Sequence, residues 1–282
     1  MNLKKIVLIL CINMSTAVLA EPPERMVIGD GSLTEIIYAL DSEDKLAGVD
    51  TTSIYPREAL ALPSIGYKRN ISVEGVLSLN PDVLLVTEDS GPTKNLNQLE
   101  QAGLKIQTFS SEPSMDAVKQ KILGIAEILD KPEAGDLLWQ QVKTKVENAT
   151  ARAKKVKHPL KVLFVLNSGE KSPVIGGKNT HADSIIRMAG GINVIEDVEG
   201  YKPITNESVA IANPDVILMM EHSSLSKELL FKKPGFNLTN AAQKQRLITM
   251  DGLYILGFGP RIGDAIEELS QQLYPDLKND QL

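Results

Sequence analysis

Along the chain, short continuous apolar runs alternate with stretches whose apolar residues recur every three to four positions. Arg25 to Gly29, Leu46 to Asp50, Val83 to Val86, Lys105 to Phe109, Val162 to Leu166 and Leu247 to Met250 read as strands. Runs without polar alternation suit a parallel sheet covered on both faces. Between them, Leu33, Ile36, Ile37 and Leu40 keep helical spacing, as do Val73, Val76, Leu77 and Leu79, and a further helix is expected over Asn95 to Gln101. From Met115 to Val156 the period stays helical throughout. Val118, Ile122, Ile125, Ala126 and Leu129 form one stripe, and Leu138, Val142, Val146, Ala149 and Ala153 another, opened by Pro132 and closed by His158-Pro159. A helix of roughly 24 residues there reaches about 36 Å.

The chain therefore divides, on pattern, into a lobe over 21–130, a connecting helix over 131–158 and a second lobe over 159–282. In the second lobe, Thr180-His181-Ala182-Asp183 leads into a helix from Ser184 to Ala189 that Gly190-Gly191 stops. A helical stretch follows Ser226, and the closing helix runs from about Ile262 to Leu273. The expected class is α/β: two Rossmann-like lobes with mostly parallel central sheets, joined by one long backbone helix.

The two lobes are related in sequence. Ile71-Ser72-Val73-Glu74-Gly75-Val76-Leu77-Ser78-Leu79-Asn80-Pro81-Asp82-Val83-Leu84-Leu85 aligns without a gap with Ile204-Thr205-Asn206-Glu207-Ser208-Val209-Ala210-Ile211-Ala212-Asn213-Pro214-Asp215-Val216-Ile217-Leu218. Before each copy stands a Gly-Tyr-Lys, Gly66-Tyr67-Lys68 and Gly200-Tyr201-Lys202, and only the first continues to an arginine, Arg69. The offset of 133 residues exceeds the period of a solenoid and matches a domain-sized lobe. Two lobes facing across a cleft, with Tyr67 reaching into it, follow from this.

Composition narrows the setting. Lys4 and Lys5, the apolar run through Leu10 and Ile12, and the small residue ending Val18-Leu19-Ala20 make residues 1–20 a secretory signal peptide. Without them the chain carries 28 basic against 36 acidic residues, a net −8, and no cysteine, since Cys11 is the only one. That excludes a disulfide framework and a thiolate metal site, and argues against nucleic acid or anionic lipid as partner. No later run approaches the roughly 18 apolar residues of a membrane span, so no stable membrane insertion is expected.

Among residues able to do chemistry, no nucleophile elbow, P-loop or H-E-x-x-H is present. His158, His181 and His222 lie far apart without ligand spacing, although His181, near a helix start, is placed to approach a ligand. An enzyme is not expected. Tyr67 stands out by its neighbours. A phenol is a poor ligand until a ferric centre or a cation favours its anion, and Arg69, two residues on in an extended segment, falls on the same side. Tyrosine is a known axial ligand of haem iron. On these residues alone the plainer reading, a rim-packing tyrosine beside a solvated arginine, stands ahead.

Gly66-Tyr67-Lys68-Arg69, Val76-Leu77-Ser78-Leu79-Asn80-Pro81-Asp82 and Asp251-Gly252-Leu253-Tyr254-Ile255-Leu256-Gly257-Phe258-Gly259-Pro260-Arg261 resemble the periplasmic haem-binding proteins of bacterial haem ABC importers. Asp50-Thr51-Thr52-Ser53 and Gly176-Gly177-Lys178 with Ala182-Asp183 fit the same family. The resemblance implies a periplasmic, monomeric binding protein that carries ferric haem to an inner-membrane ABC permease and its ATPase. It implies Tyr67 as axial ligand, Arg69 as support of its phenolate, and Glu74 and Glu207, one per lobe, as docking points for arginines of the permease. Lys68, Lys178 and Lys202 are candidates to meet the propionates, and Tyr254 and Phe258 either wall the porphyrin or belong to the core. The Asn-Pro-Asp repeat is shared with siderophore and cobalamin binders of the same fold, which leaves a ferric siderophore or a cobalamin as the alternative cargo. Some relatives place a histidine near Asn167-Ser168, and none stands there in this chain.

Overall fold

The computed structural model describes residues 21–167, 172–221 and 226–276. The expected signal peptide, most of the Asn167-Ser168-Gly169 loop and His222 lie outside them.

The first lobe contains strands β1 (Met26–Ile28), β2 (Leu46–Val49), β3 (Val83–Thr87) and β4 (Lys105–Phe109), and helices α1 (Gly31–Ala39), α2 (Val73–Leu77) and α3 (Thr93–Gln101). The four strands form one wholly parallel sheet in the order β2-β1-β3-β4. Helices α4 (Met115–Ile128) and α5 (Pro132–Ala153) then carry the chain to the second lobe. There, β5 (Lys161–Asn167), β6 (Val174–Gly176), β7 (Ile192–Asn193), β8 (Tyr201–Pro203), β9 (Val216–Met220) and β10 (Leu247–Met250) alternate with α6 (His181–Met188), α7 (Asn206–Ala212), α8 (Lys227–Leu230), α9 (Asn240–Gln243), α10 (Gly252–Leu256) and α11 (Ile262–Leu273). The second sheet runs β10-β9-β5-β6-β8, with β7 beside β5. It is mixed, since β6 and β8 add on antiparallel.

The apolar pattern sets the layers. In the first sheet Met26, Ile28 and Leu85 point to one face, while Val27, Leu84 and Val86 point to the other and meet Val76 and Leu99. The second sheet divides likewise: Leu163, Val165, Ile217 and Met219 pack with Val209 and Phe236, and Val162, Phe164, Val216 and Leu218 face the opposite way. The faces carrying Ile28 and Phe164 join a single core, together with Trp139, Val142, Val146 and Ala149 of α5. The two sheets thus share buried apolar surface rather than hanging from a bare linker, and such surface resists separation at roughly 25 cal/mol per Å².

The Asn-Pro-Asp repeat has a structural job that is the same in both lobes. Asn80 and Asn213 take the left-handed conformation, at φ 45° and 43°, and turn the chain out of the preceding helix. Asp82 then receives the Arg25 N–H on its carboxylate at 2.9 Å, and Asp215 receives the Lys161 N–H at 3.0 Å. Each aspartate pins the start of the neighbouring strand, β1 or β5.

Three differences from the sequence pattern have local causes. β6, β7 and β8 are two to three residues long, too short for a period to register. α6 begins at His181 rather than Ser184, because Thr180 is its N-cap and accepts from the Asp183 N–H. α5 has 22 residues and ends at Ala153, five residues ahead of His158, its last turn closing on the Lys154 and Lys155 N–H groups.

Candidate functional site

Tyr67 sits on the loop between β2 and α2. Gly66 adopts φ 92°, a left-handed value open to glycine, and its carbonyl accepts from the Thr51 N–H at 2.9 Å. The Lys68 carbonyl accepts from the Gly91 N–H at 2.9 Å, and Asn70 donates back to the Tyr67 carbonyl at 2.6 Å. The backbone on either side of Tyr67 is therefore stitched to two other loops, while its side chain remains 47% exposed.

Beneath this loop lies a buried charge cluster. The Lys68 ammonium reaches the Asp30 carboxylate at 2.6 Å and the Asp89 carboxylate at 2.9 Å, with the Thr87 hydroxyl at 3.3 Å. Burial alone would lower Lys68, and the two carboxylates outweigh it and hold the ammonium above its ordinary value. Burial would likewise raise Asp30 and Asp89. Lys68 with Lys121 at the first, and Lys68 with Arg69 and Thr87 at the second, pull both below the ordinary carboxylate range. Arg69 donates to Asp89 at 2.9 Å, and that bond raises its guanidinium, with the phenols of Tyr67 and Tyr201 adding to the effect. Arg69 therefore lies near both tyrosines, one from each lobe, and its hydrogen bond goes to Asp89.

The cluster continues across the lobes. Asp30 caps α1, accepting from the Ser32 N–H and hydroxyl at 2.8 and 2.6 Å. The Ser32 hydroxyl accepts from Lys121, a buried lysine of α4, at 3.0 Å, and Lys121 also donates to the Phe258 and Gly257 carbonyls at 2.8 and 3.3 Å. Burial pushes the Lys121 ammonium down to about 8. Three residues beyond Phe258, Arg261 holds Glu35 through two hydrogen bonds of 2.6 and 2.9 Å and stacks on Tyr55 at 3.6 Å and Tyr254 at 4.9 Å. The stretch from Asp251 to Arg261 thus joins its own lobe to α1 and α4 of the other. Phe258 is fully buried and meets His181 edge-on at 5.1 Å, which makes it core rather than a wall open to a ligand. Tyr254 is half-buried, and burial, with Glu268 and Asp264 nearby, raises its phenol.

His181 opens α6. Burial, with Lys121 and Lys68 facing it, pushes the imidazole down to about 4 against the opposing pull of Asp89 and Asp30. Glu74 and Glu207 are both exposed in the first turns of α2 and α7, at the equivalent place in each lobe. Lys178 and Lys202 are exposed, whereas Lys68 is held between its two carboxylates. Among the described residues, no group of three or more His, Cys, Asp or Glu forms a metal cage, and no helix is long and apolar enough to cross a membrane.

The sequence pattern assigned no individual role to Asp30, Asp89, Lys121 or Arg261, although Arg261 closes the Asp251–Arg261 segment. Two of them carried a signal. Asp30 directly precedes the small residues that open a helix, and Lys121 interrupts the stripe of Val118, Ile122 and Ile125 with a charge on the apolar face.

The family described as "Periplasmic binding protein" matches residues 26–254. The periplasmic heme-binding protein RhuT from Roseiflexus sp. RS-1, in its apo form, is 38% identical and superposes with a TM-score of 0.86, over 90% of this chain and 99% of that one. A curated relative, the ABC transporter substrate-binding lipoprotein YvrC of Bacillus subtilis (strain 168), is 29% identical over 90% of this chain and 81% of its own. The vitamin B12-binding protein of Vibrio cholerae (strain M66-2) is 26% identical over 89% and 90%.

Proposed function

The chain belongs to the periplasmic binding protein family, and from that premise we propose that it captures ferric haem in the periplasm and delivers it to an inner-membrane ABC permease driven by its ATPase. Tyr67 is the axial ligand in this reading, and Arg69, within electrostatic reach of it, is its supporting cation. The observation that carries the proposal is the Tyr67 side chain, 47% exposed on a loop tied down on both sides, in a chain that is 38% identical to a heme-binding protein. An exposed tyrosine on a flexible loop would lose ordering entropy on binding, and a tied loop has already met that cost. No bond is made or broken in the cargo. Glu74 and Glu207 offer one exposed carboxylate per lobe to a cationic permease surface, and the signal peptide over 1–20 directs export.

A cobalamin is the second reading, favoured by the B12-binding relative at 26% identity. It gives Tyr67 no iron to hold. Absorption titration with haemin separates the two. The wild type is expected to develop a sharpened Soret band at one equivalent, Tyr67→Phe to lose the ligand signature, and excess cyanocobalamin to leave the haemin spectrum in place. Displacement of haemin by cyanocobalamin, or identical spectra for wild type and Tyr67→Phe, counts against haem or against Tyr67 respectively.

A further inference from the structure

Lys68 stands beside the proposed ligand and would ordinarily be read as a cation waiting for an anionic cargo. Its surroundings say otherwise. The side chain is 15% exposed, and its ammonium is bonded to Asp30, itself 10% exposed, and to Asp89. With Thr87 at 3.3 Å, its three N–H donors are matched by three acceptors. Its backbone carbonyl is tied to Gly91, so both ends of the residue are fixed next to Tyr67. Asp30 is in turn held: it caps α1 just after β1 and, through Ser32 and Lys121, reaches the Phe258 carbonyl of the opposite lobe.

We propose that Lys68 is a positioning residue. Clamped by Asp30 and Asp89, it holds the Tyr67 loop at the height where the phenol meets iron, and it does not contact the carboxylates of the cargo. The clamp sets Tyr67 by geometry, and Arg69 is left as the exposed cation of the loop, its side chain 59% exposed. The inference rests on the haem reading above and goes beyond it in giving the charges around Tyr67 separate tasks.

Two probes and two variants test it. Haemin and haemin dimethyl ester, which lacks free carboxylates, are titrated into wild type, Lys68→Met and Asp30→Asn, with urea unfolding of each variant run alongside. Lys68→Met is expected to weaken both probes by the same factor, about 10–100-fold as for loss of a group supporting a metal ligand, and to shift the tyrosinate charge-transfer band. Asp30→Asn removes a negative charge near a negatively charged cargo. Simple electrostatics would then strengthen haemin binding, whereas loss of the clamp weakens it and shifts the same band. A Lys68→Met loss that vanishes with the dimethyl ester makes Lys68 a carboxylate contact and overturns the inference, as does tighter or unchanged binding by Asp30→Asn. If either variant fails to fold, Thr87→Val, which keeps the shape and removes a hydroxyl bonded to both Asp30 and Asp89, carries the test. Its expected result is a smaller shift of the same band, and an unshifted band overturns the inference. Wild type that binds neither probe sinks the haem reading and this inference together. Wild type that binds while the variants match it sinks the inference alone.

Discussion

The two copies of the Gly-Tyr-Lys motif, one per lobe, have come to opposite ends. Both begin on a left-handed glycine, Gly66 at φ 92° and Gly200 at φ 74°, and both lead into a helix capped by a hydroxyl, Ser72 or Thr205. Between those fixed points they diverge. In the second copy, Tyr201, Lys202 and Pro203 pair with Gly176, Ile175 and Val174 as strand β8. The Tyr201 ring packs edge-on to Phe164 at 6.3 Å, and burial raises its phenol. In the first copy the chain runs beside the β2 edge only as far as Gly66, with the Val49 N–H on the Pro63 carbonyl and the Ile65 N–H on the Val49 carbonyl, and Tyr67 lies beyond that pairing. The Lys68 side chain turns inward to a charge cluster, and Tyr67 is left facing out. A backbone paired along a strand uses its tyrosine for packing; a backbone held by a buried salt bridge frees it.

Four outcomes break or sharpen this contrast. The largest is expected at the phenols. Tyr67→Phe should cost more than the ~100-fold typical of removing a supporting group around a metal ligand, while Tyr201→Phe keeps the haemin spectrum, both read by absorption titration. Equal losses would mean that both lobes ligate and the contrast is wrong.

Next come the lysines. Lys68→Met leaves Asp30 and Asp89 short of a buried partner and should destabilise the protein by about 3 kcal/mol in urea unfolding. Lys202→Met, at an exposed position, should stay within about 0.5 kcal/mol.

The third is a pH effect at His181, a residue of the second lobe. Burial and the facing cations Lys121 and Lys68 depress His181 from 6.5 to about 4, with Asp89 and Asp30 opposing. Between those values the unfolded chain holds a proton that the folded chain rejects. Stability present above pH 6.5 is therefore lost as pH falls toward 4, by at most about 3 kcal/mol. His181→Gln should flatten that part of the acid limb relative to wild type, as measured by urea midpoints across pH 4 to 7.

The smallest effects should be equal. Ser72→Ala and Thr205→Ala each remove an N-cap, with oxygens 3.0 and 3.1 Å from the helix N–H, and each should cost about 1 kcal/mol of stability by urea unfolding. A large inequality would mean that the copies differ in their scaffold as well as in their tyrosines.

Much of this architecture was legible along the chain. The strands Lys105–Phe109 and Leu247–Met250 and the helix Ile262–Leu273 fall where the apolar pattern puts them; the latter two bury a face that only one register satisfies, and the first buries Phe109. The Asn-Pro-Asp repeat announced the duplication because Asn80 and Asn213 each end a helix in the left-handed conformation, and such turn chemistry leaves its mark in adjacent residues. The charge cluster left almost none. Asp30, Lys68, Asp89 and Lys121 stand 38, 21 and 32 residues apart in sequence, and their meeting depends on how β1, the Tyr67 loop, the turn after β3 and α4 pack. Phe258 could be read either as wall or as core until the fold buried it against His181.

The amino-acid order by itself determined the α/β layers, the doubling of the lobe and the presence of a tyrosine beside cations, since all of these follow from period, turn chemistry and short spacing. Only the tertiary structure decided which cation is buried and which is exposed, and which of two similar tyrosines faces solvent. Ion pairing between distant segments and pairing at a sheet edge are set by the assembled neighbours, and no window of sequence contains them.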